Sequence, residues 1–336
     1  MQQRILRQRL CVLLVSLLLC SVSQARMLSV QQVDAVLDNE QLADTEIALS
    51  FIFNQSDTSR ITTELATYSP LVQEALKLRL VEYAATLPTL SEPQLTWLHT
   101  LAAERPQYQV KQRGQGYLMA MPAFNYSMLA HGVVMGNHRQ QEALEAMAAF
   151  NQGELTLTDW LNVPLQEYYP RRDIFISHAH ELNEEALARL VDEFGPKRDR
   201  LLWLADNAVI ATLAAHSAND ALYDLLWRRR TDAFSVAELE RLANISDDTT
   251  VLQLIAATGN PSLKHRAFQH LARLQPMPLE VQYFLLAKLD EVEDGSLVAS
   301  QLVLHGYRDW VQELASGDNG AVRARHLQQA LSAATR

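Results

Sequence analysis

The chain has 336 residues, and its 29 lysines and arginines are outnumbered by 39 aspartates and glutamates, which gives a formal net charge of −10. An acidic chain is a poor partner for nucleic acid, because phosphate binding requires a basic surface. The two cysteines, Cys11 and Cys20, both fall within the N-terminal segment 1–25. The remainder can therefore form no disulfide, no thiolate metal site and no cysteine nucleophile.

The N-terminal segment 1–25 has the three parts of an export signal. Its start, 1–9, carries three arginines and no acid, 10–20 is an apolar run, and Ser23 and Ala25 supply small residues for a signal peptidase. The apolar run is too short to span a membrane. We therefore predict a signal peptide over 1–25, export, and a formal charge of −13 after its removal. No later apolar run reaches the roughly 18 residues of a membrane span.

Two other interpretations of this segment stay open. One is an uncleaved N-terminal anchor. The other is lipid attachment at Cys20, although Leu19 precedes it, whereas a sequence that resembles the bacterial lipobox has a small residue there. Export without disulfides favours the periplasm of a Gram-negative type of envelope over eukaryotic secretion.

The region 26–106 is predicted to be helical. Glycine and proline number only 11 each in the chain, and its dominant residues are good helix formers. We predict one long or two short helices over 29–53 and a helix–turn–helix over 62–87, with Ser69 as N-cap and Pro70 as the first helical residue. A capping-box pattern of Ser91 and Gln94 opens a further helix, in which Trp97 faces inward. The apolar positions of the segment 29–53 are Val30, Val33, Leu37, Leu42, Ile47 and Phe51.

The segment 107–121 breaks the helical pattern. Apolar and polar residues alternate from Tyr108 to Gln112 and again from Tyr117 to Met121, on either side of a Gly-Gln-Gly turn. Alternation about a glycine turn predicts a β-hairpin. Such an insertion either covers the end of a neighbouring helix or projects as a contact element.

Helix pairs are predicted to fill the region 122–336. Their turns are placed at Asn137, Asn183, Asn219 and Asn260, so that successive turns lie 46, 36 and 41 positions apart, with a mean of 41. Repetition at about 40 residues is typical of stacked helix pairs. A capping-box pattern at 235–238 predicts an additional helix. Further pairs are predicted over 279–289 with 297–304 and over 310–331, the last of which turns at 317–320.

The segment 250–274 shows the helix pair most clearly. Asn260 is suited to cap the second helix, and Pro261 is suited to its first position, where no amide donor is needed. The apolar stripes of the two helices are Val251, Leu254, Ile255 and Thr258, and then Leu263, Ala267, Leu271 and Leu274.

The chain resembles the HEAT and armadillo superfamily of α-solenoid repeats. The resemblance is clearest in LIAATGNPSLKHRAFQHLA (254–272) and in ELASGDNGAVRARHLQQAL (313–331), where Val322-Arg323 follows the turn as in many HEAT units. It extends over 62–331 with gaps and weakens before residue 137. The resemblance implies a superhelical stack with a concave surface for protein contacts, and it implies no reaction.

The motif His178-Ala179-His180-Glu181 is the main candidate for metal chemistry. After the strand-like residues 173–176, it resembles the first ligands of the amidohydrolase barrels, but that fold needs eight strand–helix units, which this sequence does not show. The alternative interpretation places the motif in a turn between helices. A metal site formed by His178, His180 and Glu181 would require bound zinc in the purified protein.

Basic clusters stand out against the acidic background: Arg171-Arg172, Lys197-Arg198-Arg200 and Arg228-Arg229-Arg230. They either cap helix ends or line one face that reads an acidic peptide or a glycan. The pair Tyr168-Tyr169 beside Arg171-Arg172 is the best candidate for a partner-binding surface, because aromatic residues and arginine are enriched in interface cores. Four tryptophans, at 160, 203, 227 and 310, are expected in the core.

Together these observations predict an exported, all-α, superhelical protein with a small hairpin insertion. Its expected role is that of a non-catalytic scaffold or adaptor that binds another protein. No cofactor motif is recognised, and HExxH, GxSxG and P-loop patterns are absent from the sequence. The alternative function is a cell-envelope enzyme, either a metal-dependent hydrolase that uses His178 and His180 or a peptidoglycan-active protein.

Overall fold

The computed structural model describes residues 26–114, 117–195, 205–245, 247–317 and 320–334. The predicted signal peptide, the basic cluster at 197–200 and Trp203 lie outside the described residues. The described chain is mostly helical, as predicted. It divides at 142/143 into two compact units, and this boundary falls within one continuous helix. Among the helices described, none has the length and apolar character that crossing a membrane requires.

The first unit combines short helices with a small sheet. In chain order its elements are β1 (Arg26–Leu28), α1 (Val30–Leu37), α2 (Glu40–Asn54), α3 (Thr58–Leu65), α4 (Pro70–Ala84), α5 (Glu92–Ala103), β2 (Tyr108–Gly114), β3 (Tyr117–Pro122) and the start of α6 (Tyr126–Gln152). The segment 29–53 thus holds two helices. Ser69 and Pro70 take the predicted positions at the start of α4. The Ser91 amide donates to Gln94 Oε1 at the start of α5 (2.7 Å), as the capping box predicts.

The predicted hairpin is confirmed. Strands β2 and β3 pair antiparallel, from Gln109 opposite Pro122 to Gly114 opposite Tyr117. The sequence does not predict β1, which lies in the region expected to be helical and pairs parallel with β2. So short a strand cannot show a period-two pattern. Its register is supported by Arg26, whose Nη1 donates to the Tyr108 hydroxyl (3.1 Å).

A buried glutamate ties the hairpin to α4. The two carboxylate oxygens of Glu74 accept the main-chain amides of Gln107 (2.6 Å) and Tyr108 (3.4 Å). Burial raises the pKa of this carboxyl, and the two amide hydrogen bonds partly offset that rise. The start of β2 is therefore held by a side chain from a helix that lies well before it in the chain.

The core of the first unit is built around Phe53. Its ring meets Trp97 at 5.7 Å and Tyr83 at 6.4 Å between centroids, both edge to face. Trp97 is buried, as predicted. Ile47 and Phe51, predicted as apolar positions of this segment, are exposed, because α2 turns a different stripe inward. That buried stripe consists of Leu42, Leu49, Ile52 and Phe53.

The second unit contains the end of α6 and helices that follow one another with short connections. They are α7 (Leu157–Leu161), α8 (Leu165–His178), α9 (Glu184–Asp192), α10 (Asn207–Ser217), α11 (Asp220–Arg228), α12 (Ala233–Ile245), α13 (Asp248–Ala257), α14 (Lys264–Arg273), α15 (Leu279–Leu289), α16 (Gly295–Leu304), α17 (Arg308–Ser316) and α18 (Ala321–Ala333). The predicted pairs over 279–304 and 310–331 match α15–α16 and α17–α18.

Two of the predicted turns are confirmed by their caps. Asn183 Oδ1 accepts the Ala186 amide at the start of α9 (2.8 Å), and Asn219 Oδ1 accepts the Leu222 amide at the start of α11 (3.1 Å). In each case the asparagine side chain satisfies an amide that the first helical turn leaves unpaired.

The turn predicted at Asn137 is wrong. Helix α6 continues from Tyr126 to Gln152 through Gly136 and Asn137. Neither residue breaks a helix outright, since an interior glycine costs only about 1 kcal/mol relative to alanine. Buried residues recur at helical spacing on both sides, including Ala130, Val134 and Met147, and their burial outweighs that cost.

The capping box predicted at 235–238 is also misplaced. Helix α12 begins at Ala233, where Asp232 Oδ1 accepts the amides of Phe234 and Ser235 (both 3.0 Å). The Ser235 hydroxyl in turn accepts the Asp232 amide (3.0 Å). Asp232 is the cap because an aspartate three positions before a serine can form the same reciprocal pair. Glu238 is buried against Arg241 instead.

The segment 250–274 forms the expected pair, α13 and α14. Its predicted apolar residues are buried or half-buried. Helix α14 begins at Lys264 rather than at Pro261, because residues 261–263 form a turn first. Asn260 still makes capping bonds: its Oδ1 accepts the Ser262 amide (2.9 Å), and its main-chain oxygen accepts the Lys264 amide (2.8 Å).

Helices α10 to α18 pack mainly on their neighbours and next-but-one neighbours in the chain. The even-numbered helices begin at Asn207, Ala233, Lys264, Gly295 and Ala321. Each start follows the last by roughly 30 residues, so the predicted spacing of 41, which is that of a HEAT-type unit, is too long. Asn219 lies between α10 and α11 but Asn260 between α13 and α14, so three helices separate these two turns rather than two.

The packing of α14 makes a prediction about stability. Leu271 is fully buried, whereas Leu279, at the start of α15, is exposed. Leu271→Ala should lower the free energy of unfolding by about 3 kcal/mol, because it leaves a cavity in the core. Leu279→Ala is the matched control and should change it by less than about 0.5 kcal/mol. Urea denaturation of both variants measures the difference, and equal effects would show that α14 is not packed as described.

Candidate protein-contact site

The His178–Glu181 motif lies in a turn. Helix α8 ends at His178, and residues 179–181 form one turn of 3-10 helix before α9. His178 Nδ1 lies 2.7 Å from Glu181 Oε1, whereas His180 Nε2 lies 3.9 Å from the same oxygen. In the part of the chain that the structure describes, no group of three or more His, Cys, Asp or Glu side chains is arranged to hold a metal. The zinc hypothesis stays a prediction without geometric support.

Arg171, one of the four residues predicted to bind a partner, is engaged with the fold. All four lie on α8. The Arg171 guanidinium stacks 4.7 Å from the ring of Trp160, and its Nη1 donates to the Trp160 main-chain oxygen (3.3 Å). The Trp160 indole in turn donates to the main-chain oxygen of Arg171 (3.1 Å). These reciprocal bonds hold α7 against α8.

Arg172 stands between two aromatic rings. Its guanidinium lies 4.9 Å from the ring centre of Tyr169 and 5.4 Å from that of Phe234. It also forms ion pairs with Asp173 (2.7 Å) and Asp206 (2.9 Å). Although burial opposes it, the hydrogen bonds to these two carboxylates raise the pKa of Arg172. Only 14% of the Arg172 side chain is exposed. Its guanidinium therefore holds the two rings in place and is itself largely shielded from solvent.

Tyr169 is the one of the four whose ring is offered to solvent. Tyr168 is partly buried in the core, and its hydroxyl accepts the Asp206 amide (3.2 Å); burial raises the pKa of this phenol. Tyr169 is 49% exposed and Phe234 40%. Leu165, one helical turn before Tyr169, is also exposed. We call Leu165, Tyr169 and Phe234 the aromatic patch.

Phe234 is absent from the sequence-based candidates. The signal that could have found it is the reciprocal pair of Asp232 and Ser235. This pair starts α12 at Ala233 and so places Phe234 in the first turn. No sequence pattern, however, indicates that α12 starts beside α8.

A chain of part-buried polar contacts leads from Arg172 to the end of α11. Asp206 joins Arg172 at one end and caps α10 through the Val209 amide (3.2 Å). The next residue, Asn207, accepts from Arg229 Nε (2.8 Å) and donates to the Arg230 main-chain oxygen (2.9 Å).

The chain of contacts continues at Asn260. Its Nδ2 donates to the main-chain oxygens of Trp227 (2.8 Å) and Arg229 (3.3 Å). We call Arg172, Asp206, Asn207, Arg229 and Asn260 the polar seam. Asn207 and Asn260 are both buried. Each of their amides binds main-chain groups that the end of α11 would otherwise leave unpaired.

Next to the seam is a cleft of about 530 Å³. It is lined by residues 228–231 and 259–262 together with Asp224, Trp227 and Ala256, and we call it the arginine cleft. Arg228 pairs with Asp224 (2.8 Å), and Arg229 is turned into the seam. Of the three arginines, Arg228 alone lies in the last turn of a helix, so the capping interpretation fits only that residue.

Two donors at the cleft have no partner among the described residues. The exposed guanidinium of Arg230 makes no ion pair or hydrogen bond with them. The indole N–H of Trp227 is buried and unpaired within the same set. The indole nitrogen is closed off from solvent, so of the two groups the Arg230 guanidinium is the one that a ligand in the cleft can reach.

Comparison of the chain with models of protein families, with curated proteins and with solved structures found no match in any of the three.

The seam makes a prediction about Asn260. Replacing it with alanine removes both donors to the main-chain oxygens of Trp227 and Arg229 and should lower the free energy of unfolding by about 2–3 kcal/mol. Asn219→Ala, which removes only the cap of α11, is the control and should cost about 1 kcal/mol. Both are measured by urea denaturation. If Asn260→Ala costs no more than Asn219→Ala, the seam does not hold the helices together.

Proposed function

We propose that the protein is an exported, non-catalytic scaffold or adaptor that binds another protein through the second unit. The single observation that carries this proposal is the aromatic patch, in which two exposed rings are held by one arginine between them. Aromatic residues and arginine dominate the energetics of protein interfaces. A ring that is already oriented in the free protein loses less conformational entropy on binding.

We further propose that the second unit is a short α-solenoid. The regular next-but-one packing of α10 to α18 supports this, since repeat units contact mainly their neighbours. Hydrogen bonds between successive helix pairs also recur at similar separations along the chain. These bonds are Asn151–Asn183, Arg172–Asp206, Asn260–Trp227, Lys264–Asp294 and Arg323–Asp290.

The spacing of this proposed stack is shorter than that of a typical HEAT unit. Next-but-one helices begin at 207, 233, 264, 295 and 321, which is roughly 30 residues apart, against about 40–47 residues in HEAT and armadillo repeats. The resemblance in 254–272 and 313–331 therefore concerns the helix–turn–helix, and the stack proposed here consists of more compact pairs. Export, with the periplasm as destination, rests on the segment 1–25 alone.

The partner-binding surface is narrower than the four residues expected from the sequence. Tyr168, Arg171 and Arg172 make contacts that hold α7, α8 and α10. Replacing all four together would lower the stability of the fold, so that experiment cannot isolate binding. Tyr169 and Phe234 are the informative positions.

We predict that Tyr169→Ala with Phe234→Ala weakens partner binding by more than about tenfold, the loss typical of interface hot spots. The partner is first identified by cross-linking and mass spectrometry in the native host, and its affinity for the purified variants is then measured by titration. Tyr283→Ala is the matched control, because Tyr283 is 70% exposed on α15, and it should bind like the unmodified protein. Equal affinities for all three proteins would refute the aromatic patch as the contact.

A further inference from the structure

The arginine cleft is a positive site on an acidic protein. Three consecutive arginines, 228 to 230, stand at its rim in a chain of net charge −10. Arg229 is directed into the polar seam, and Arg228 is paired with Asp224 at the surface. Arg230 has no acidic partner among the described residues. Its guanidinium is therefore the group most available to an incoming anion.

The main-chain amides of the turn 259–264 are already used within that turn. The amides of Gly259 and Asn260 donate to the oxygens of Ala256 and Ala257. Those of Ser262, Leu263 and Lys264 donate to Asn260, and Pro261 has no N–H. Phosphate sites at helix starts usually rely on free amides of this kind. The turn 259–264 therefore offers no such amide to an anion, and the arginine side chains of 228–230 supply the positive charge at the cleft.

The side chains present favour a carboxylate on a peptide. A guanidinium forms two parallel hydrogen bonds with a carboxylate. The exposed guanidinium of Arg230, which has no partner among the residues described, can make such a pair. Ala256 and Pro261 add apolar surface for the aliphatic part of an acidic side chain.

One chain segment carries residues of both the cleft and the aromatic patch. Thr231 lines the cleft, and Phe234 of the patch lies three positions later in the same segment. The polar seam links the two surfaces through two adjacent residues. Asp206 binds Arg172, which lies between the two rings of the patch, and Asn207 binds Arg229, which lines the cleft. The positions of the cleft residues and of the patch therefore depend on the same polar contacts.

We propose that the arginine cleft binds an acidic peptide segment of the protein partner, with Arg230 as its main contact. Arg228 adds a second charge when the incoming carboxylate competes with Asp224. This assignment rests on the proposed protein-binding function and names the chemistry of the partner that the function requires.

The test uses a fluorescein-labelled hexaglutamate peptide and the intact protein, with fluorescence anisotropy as the readout. The peptide should bind, and Arg230→Gln should weaken its binding by about tenfold, because a hydrogen bond to a charged group is lost. The main-chain oxygen of Arg230 that Asn207 binds is retained in this variant. Arg325→Gln is the matched control, since Arg325 is an exposed arginine of α18 and its loss changes the net charge equally.

Three outcomes of the peptide titration would overturn the proposal. They are no binding of hexaglutamate, equal weakening by Arg230→Gln and Arg325→Gln, and equally strong binding of inorganic phosphate that depends on Arg230 and displaces the peptide. Partner binding that needs Tyr169 but not Arg230 would reject the cleft and leave the adaptor function standing. The adaptor function itself is tested separately, by the effect of Tyr169→Ala with Phe234→Ala on the affinity for the partner.

Discussion

Asparagine and aspartate side chains in the second unit bind main-chain oxygens and arginines of other helices, and the rest of the candidate site depends on these contacts. Asn260 donates to two carbonyl oxygens near the end of α11, and Asn207 bonds to Arg229 and to the main-chain oxygen of Arg230 in the same segment. A hydrophobic stripe alone lets helices slide or rotate against one another, whereas a buried amide with several fixed partners permits one arrangement. The seam thereby sets the position of the segment 229–234. That segment carries both Arg230 and Phe234.

The first unit uses the same kind of contact for a different element. Glu74 holds the start of the hairpin through two amides, and Gln94 of α5 donates to the main-chain oxygen of Phe53 (2.6 Å). In both units a long-range polar side chain replaces hydrogen bonds that a helix end or strand start lacks locally. Such side chains are costly to leave unpaired. We therefore expect them to tolerate substitution less well than the exposed rings of the aromatic patch.

The local signals in the sequence predicted local structure well. Asn183, Asn219 and the capping box at Ser91 mark helix starts, because a cap is a contact between residues two or three apart. The errors concern choices that depend on distant residues. Helix α6 runs through Asn137, because the burial of side chains on both sides of Gly136 and Asn137 outweighs the small helix-breaking tendency of these residues. The predicted spacing of 41 was wrong, because turns of similar sequence lie at different positions in the order of helices. Tyr169 was predicted because aromatic residues and arginines stand together in 168–172. Phe234 lies near it only because α8 and α12 pack together, and no local sequence pattern predicts that packing.

We propose that the aromatic patch and the arginine cleft both belong to the surface that contacts a protein partner. The most direct test is site-specific photo-cross-linking in the native host, with a benzophenone amino acid placed at position 169, at 234 or at the exposed control position 283. We predict that positions 169 and 234 cross-link to one and the same partner and that position 283 does not. Cross-linking from position 283 with none from 169 and 234 would contradict the claim and place the contact elsewhere on the protein.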